Sequence, residues 1–472
     1  MSTTDAAIRF DSPPPAAVYP LPFLCARATQ QRDALGRVAF ALFLLANAAL
    51  ILRPADLFDA IAHWPIYQLL IVSCALLSLR PLADQLKWAS LRCNPVTFFV
   101  LALLCVIPLA HLSHGQSWEA RQAFVQFAKI TVYYLLLLAI LDTPQRLGGF
   151  LAFLALICLG MTALALLAFH GWIQLPALEM VQQKQFDPAT GMTINLPRLV
   201  SAGIFHDPND LCLLLIVAIT ICLWGLGADA PLGRRIAWVI LLAVFGYAVV
   251  LTHSRGGFLG LVAGFAVLGV SRWGWRKTIV VFCGSIPILL EIGGRQTDLS
   301  LSGGTGQNRL QLWSQGLALL RQSPLLGIGF GNYAEQVGYV GHNSFLHAYT
   351  ELGFVGGTLF LGAFYYAIAS LIALGRCRGC LVDAPMRRLQ PLLLMLLGAY
   401  AAGAFALSRT YVAPTYLVLG LAAAYFRVAR FSGRSPLHPL GMRLMLGLVL
   451  TSACFIGSIY VFVRVFVQWS ST

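Results

Sequence analysis

Residues 340–357, VGHNSFLHAYTELGFVGG, set two histidines, an asparagine, a serine and a glutamate into a chain that is otherwise mostly apolar. Asn343 or Ser344 is a good helix N-cap, and Phe345, Tyr349 and Leu352 then fall on one helical face. The stretch therefore reads as a loop entering a helix. His342 stands just before the first turn, where unpaired backbone N–H groups and the positive end of the helix dipole favour an anion. A histidine there can accept a proton, donate one or contact a phosphate oxygen, and it equally fits an interfacial residue that caps and packs the helix. His347 lies five residues from His342, off the i, i+4 spacing of a two-histidine zinc site. It has that spacing with Glu351, so those two can simply pair.

Cations are the second group that could do chemistry. Arg198 in NLPRLVSAGIFHDPND, Arg255 in LTHSRGGFLG and Arg309 in GQNRLQLW each fall near an expected membrane boundary. Any one of them can be a snorkelling side chain, and for Arg309 that reading weighs evenly against ligand binding. Arg255 is harder to explain that way: Gly256 and Gly257 follow it in a very short turn, and a guanidinium fork suits phosphate oxygens. Arg121 and Lys129 share one face of a further apolar helix. Lys129 falls roughly 10 Å below its outer end, which makes it either a snorkelling residue or a partner for an anion.

The elements that must position these residues are set by composition. Of 472 residues 58% are hydrophobic and 11% charged, whereas a soluble domain carries about 25% charged residues. Thirteen apolar stretches between 36 and 465 can be read as spans, so the expectation is an all-α, polytopic helical bundle of about twelve transmembrane helices. With the amino terminus inside, most Lys and Arg fall on the cytoplasmic side. That sorting accounts for most of the net charge of +14 without a nucleic-acid partner. The expected order is a cytoplasmic tail over 1–37 and nine spans over 38–292, with an external loop near 173–208. A large external loop over 293–352 and C-terminal spans over 353–472 follow. Leu310, Trp313, Leu317 and Leu320 predict an amphipathic helix in the large loop, ended by SPLLGIGFGN. The CxxC pair Cys377 and Cys380 has no second pair nearby, so no metal site is read there. No P-loop or GxSxG pattern occurs, and GIGFGN lacks the strand-to-helix setting of a dinucleotide fingerprint.

His342-Asn343, nine residues, Gly353, two residues and Gly356 fit the H[NSQ]X9GXX[GTY] signature, and on it the chain resembles the O-antigen ligase and O-antigen polymerase superfamily. RLVSAGIFHDPND, SRGG, NRLQLW and SPLLGIGFGN add to the resemblance, which covers most of residues 120–375. Asp210, a second acid after Asp207-Pro208-Asn209, departs from the pattern, as do thirteen stretches against twelve spans. The resemblance implies glycan transfer from undecaprenyl diphosphate to an acceptor sugar on the periplasmic side of the bacterial inner membrane. For a ligase the acceptor is lipid A-core; for a polymerase it is a second lipid-linked glycan. No cofactor, metal or nucleotide is expected, because the donor is already activated by its diphosphate. It further implies His342 as the catalytic base or a phosphate contact. Arg255, Arg198, Arg309, Lys129 and Arg121 are expected around the diphosphate, with Asn343, Gly353 and Gly356 supporting the motif. A transporter or flippase of an anionic lipid is the rival of another class, and would show broken helices near midplane.

Overall fold

The computed structural model describes residues 30–186, 193–227, 230–293, 305–377, 379–431, 437 and 439–468. The expected tail over 1–37 thus lies largely outside the described residues. The first half of the chain forms α1 (Gln30–Leu52), α2 (Ile66–Leu77), α3 (Leu79–Leu86), α4 (Pro95–Leu112), α5 (Ser117–Ile140) and α6 (Pro144–Phe169). A hairpin follows, β1 (Val181–Phe186) and β2 (Thr193–Arg198), before α7 (Pro208–Gly225), α8 (Leu232–Leu251), α9 (Arg255–Trp273) and α10 (Trp275–Gly293). The remainder is α11 (Thr305–Gln322), α12 (Asn332–Val337), α13 (Ser344–Arg376), α14 (Ala384–Ala404), α15 (Ala413–Val428) and α16 (Met442–Phe466).

Each apolar stretch read from the sequence contains a helix. Pro95, Pro144, Pro208, Pro385 and Pro414 stand in first turns, where the missing N–H costs nothing and φ is already set. The chain is a polytopic helical membrane protein. Among the described residues nine helices are long and apolar enough to cross a membrane, or up to ten if α2 and α3, bent by 74°, form one span. That count does not reach the expected twelve; Ala413–Val428 is a shorter apolar helix outside it.

Two further expectations change. The bundle is helical, but the external loop near 173–208 carries an antiparallel hairpin in which Val181 pairs with Arg198. VQQKQF lacks the alternation of apolar and polar residues that marks a half-buried strand, and the Thr193–Leu196 alternation in TINLPR is too short to signal a strand alone. The boundary expected between 352 and 353 falls inside α13, which starts at Ser344. Residues 344–352 are buried and helical, so α13 begins within the segment expected as loop.

α7 is the central post, with 72% of its apolar window buried against 17% for α8. Helices in lipid gain little from apolar contact with one another, so small residues that let backbones approach decide packing. On α9, Gly260 and Gly264 serve this purpose: a methyl at Gly260 would lie 2.7 Å from the Ala399 carbonyl oxygen of α14. That close seam fixes where the first residue of α9, Arg255, stands.

Candidate functional site

Three helix starts meet at one end of the bundle, and each is built by its local sequence. At α7, Asp207 is the N-cap, its Oδ1 accepting from the Asn209 backbone N–H at 2.7 Å, and Pro208 is the first helical residue. At α9, the Ser254 hydroxyl accepts from the Gly257 N–H at 3.1 Å and donates to Asn209 Oδ1 at 2.7 Å. One serine thus caps its own helix and ties it to α7. At α13, Asn343 Oδ1 accepts from the N–H groups of Phe345 and Leu346, each at 3.1 Å. Asn343 holds the junction as its type suggested.

The link to α13 comes from a residue that sequence reading passed over. Arg409, in the connection between α14 and α15, donates its backbone N–H to the Ser344 hydroxyl at 2.8 Å. Its guanidinium bonds Asp207 Oδ2 at 3.1 Å and Asp210 Oδ1. Burial acts to lower the Arg409 pKa, but the bond to Asp210 and the charges of Asp210 and Asp207 outweigh it and raise the pKa. Asp210, a departure from the family pattern, is therefore the partner of Arg409. SRTYVAP, an arginine in a short break between two apolar stretches, was the available signal.

Arg198 donates from Nε to the Thr252 carbonyl at 2.9 Å, and from its terminal nitrogens to Gln183 Oε1 at 3.0 Å and Asn209 Oδ1 at 3.3 Å. It holds the hairpin against the turn that leads to Arg255. Arg309, on α11, is near enough to Arg255 that this charge, added to the larger effect of burial, lowers its pKa. α11 lies against the bundle as its apolar spacing predicted, with Leu310 and Leu317 clustered with Leu346 of α13 and Ile459 of α16.

His342 sits among these groups. Its pKa is lowered by burial first and then by the charges of Arg309 and Arg409, with Asp207 acting in the opposite direction. Its backbone has φ 49°, the left-handed region that L residues seldom occupy. Two bonds flank this strained position: the Trp313 indole N–H donates to the Gly341 carbonyl at 2.7 Å, and Asn343 caps the helix after it. His253, just before the Ser254 cap, is also left-handed, with φ 47°. Strained residues that the surrounding structure holds in place are frequent at functional sites.

Behind His342, α13 breaks at Gly353, with φ 64° and ψ −168°. Residues 324–329 take over the hydrogen bonds that the break releases. The N–H groups of Ile328 and Gly329 donate to the Thr350 and Glu351 carbonyls at 3.1 and 2.9 Å, while those of Phe354 and Val355 donate to Pro324 and Leu325. A methyl at Gly353 would lie 2.3 Å from the Leu325 carbonyl carbon, so only glycine fits. Gly353 thus breaks the helix rather than easing the packing of a span, and Gly356 leaves room for the Leu352 side chain. His347 and Glu351 do pair, at 3.0 Å, and Glu351 also accepts from the Tyr333 N–H at 3.2 Å. The broken helix resembles what a transporter would show, but these backbone groups at the break are already bonded within the protein.

Among the described residues, Arg121 and Lys129 make no hydrogen bond or ion pair to the residues of this cluster. Both are exposed on α5, and the Arg121 guanidinium stands 5.9 Å over the Trp118 ring. No metal-binding group of three or more His, Cys, Asp or Glu side chains occurs among the described residues.

Four arginines and three helix starts stand against two carboxylates at this boundary, an electropositive setting in which His342 lies. Residues 238–361 match the family described as O-antigen ligase. The match covers about a quarter of the chain and supports the resemblance read from the His342 motif. The matched segment contains Arg255, Arg309, His342, Asn343, Gly353 and Gly356, and excludes Arg121, Lys129, Arg198 and Arg409. No curated protein matches the chain.

Proposed function

We propose that the protein is an O-antigen ligase that moves a glycan from undecaprenyl diphosphate to lipid A-core at the periplasmic face of the inner membrane. The observation that carries this reading is the meeting of His342 with Arg309 and Arg409 beside the helix starts that bear Asn209 and Arg255. An acceptor hydroxyl oxygen attacks the anomeric carbon while the bond from that carbon to the diphosphate oxygen breaks, and the hydroxyl proton passes to His342 Nδ1 or Nε2. Attack opposite the leaving group inverts the anomeric centre. The lowered pKa favours the neutral imidazole near pH 7, which is the form able to accept that proton.

Charge builds on the diphosphate as its bond to carbon breaks. Arg255, Arg309 and the start of α9 stabilise it, while Arg198 positions the turn that carries Arg255. Arg121 and Lys129 anchor α5 at the lipid boundary in this reading. The donor's own diphosphate is the activating group, so the step needs no metal.

The test is a reaction of purified protein with one lipid-linked donor, with and without lipid A-core, in the presence of chelator. The expected product is glycosylated lipid A-core that resists chelation. Longer carrier-linked chains with no transfer to core would instead make the protein a polymerase, and absence of any covalent product would end the transferase reading.

A further inference from the structure

The outer cluster has a counterpart at the far end of the same helices. α7 and α9 start in the cluster and end at Gly225 and Trp273, and α14 runs the other way from Ala384 toward the Arg409 connection. These helices have 18, 19 and 21 residues, which at 1.5 Å per residue is about 27 to 32 Å, one hydrocarbon thickness. Between their far ends lies a cavity of about 390 Å³, lined by Leu223, Trp224, Leu268, Arg272, Arg388 and Leu392 among others. That volume is in the range of small-ligand sites.

The walls of this cavity combine two guanidinium groups with leucines and an indole. The Trp224 indole N–H donates to the Pro385 carbonyl at 3.3 Å, clipping the end of α7 to the start of α14. Arg388 lies close over that end, since a methyl at Gly227 would stand 2.3 Å from one of its terminal nitrogens. Trp273 and Trp275, 57% and 61% exposed, follow Arg272 in sequence and precede Arg276 and Lys277. Exposed tryptophans alternating with cations mark a level where lipid headgroups meet acyl chains. Arg272, in the last turn of α9, can also serve only that helix's dipole, but that role needs neither Arg388, near the start of α14, nor the leucine walls.

We propose that this cavity binds the phosphate of an anionic phospholipid in the leaflet opposite the His342 cluster. Arg272 and Arg388 take the phosphate oxygens, while Leu223, Leu268, Leu392 and Trp224 receive the glycerol and the upper acyl chains. A free phosphate would share the charge contact but not the apolar walls.

Native mass spectrometry of the detergent-purified full chain, with phosphatidylglycerol or phosphatidylcholine added, tests this without a transferase assay, so its outcome is independent of the proposed reaction. One phosphatidylglycerol should be retained per chain in preference to phosphatidylcholine, and millimolar inorganic phosphate should not displace it. Arg272→Gln should weaken retention about fivefold, and Arg272→Gln with Arg388→Gln about 25-fold. Leu268→Trp fills the cavity with both charges kept and should also abolish retention. Should the double variant fail to fold, Arg272→Gln and Leu268→Trp carry the test, with thermal unfolding in lipid-free detergent confirming that they fold as the parent does. Retention unchanged in these variants, equal retention of phosphatidylcholine, or displacement by inorganic phosphate overturns the proposal.

Discussion

Arg198 and Arg409 differ from Arg309 in what surrounds their charge. The first two direct donors to protein oxygens: Arg409 to two carboxylates, Arg198 to a carbonyl and two side-chain amides. Arg309 is crowded by like charge, with Arg255 depressing its pKa and Arg309 in turn depressing that of His342. Arginines of the first kind hold three helix starts in register. In the proposed reading those of the second kind meet the diphosphate, because an anion there relieves like-charge repulsion.

The largest effect expected is at His342. His342→Ala should lower transfer by about 10² to 10⁴, the usual worth of a general base, with normal insertion and thermal unfolding. Full transfer at normal protein level would remove His342 from the mechanism. Arg255→Lys follows: if the fork and not the charge holds the diphosphate, kcat/KM should fall about tenfold or more. Recovery of wild-type activity by lysine would place Arg255 with the merely charged residues.

Arg409→Ala should be read as a stability variant. It strips Asp207 and Asp210 of their partner, and a loss of about 2 kcal/mol in detergent unfolding is expected. If unfolding is unchanged while transfer is lost, Arg409 belongs with the diphosphate group instead.

A subtler effect concerns pH. Neutral His342 is the active form and its pKa is lowered, so the acid limb of kcat/KM should lie below the ordinary histidine value of about 6.5. Arg309→Gln removes a positive neighbour, so the limb should move toward higher pH whatever happens to the absolute rate. A limb that stays fixed would detach Arg309 from His342. The smallest effect is at the exposed cations of α5: Arg121→Gln and Lys129→Gln should each change transfer by less than about twofold, as is usual for exposed charges that hold no partner in place. A large fall in either would bring α5 into the diphosphate site.

Local sequence carried the parts of this protein that depend on local physics. Apolar runs of bilayer length made helices, prolines stood in first turns, and Asp207, Ser254 and Asn343 capped their helices because short polar side chains reach backbone N–H groups two or three residues on. The amphipathic spacing of α11 and the pairing of His347 with Glu351 were legible for the same reason. The hairpin was not, since its first strand lacks an apolar face and Arg198 owes its place to Thr252, 54 residues on, and to Asn209.

Arg409 meets Asp207 and Asp210 across about two hundred residues of chain, a separation over which no periodicity or cap signal operates. Gly353 reads as a small residue in a motif, and only the passage of residues 324–329 beside it explains why the helix breaks there and buries residues 344–352. The sequence by itself determined the membrane class, the helix starts and the identity of His342 as the residue to watch. Which cations stand beside that histidine was decided by tertiary structure, because charge acts through space and the chain brings Arg309 and Arg409 to it from two separate elements.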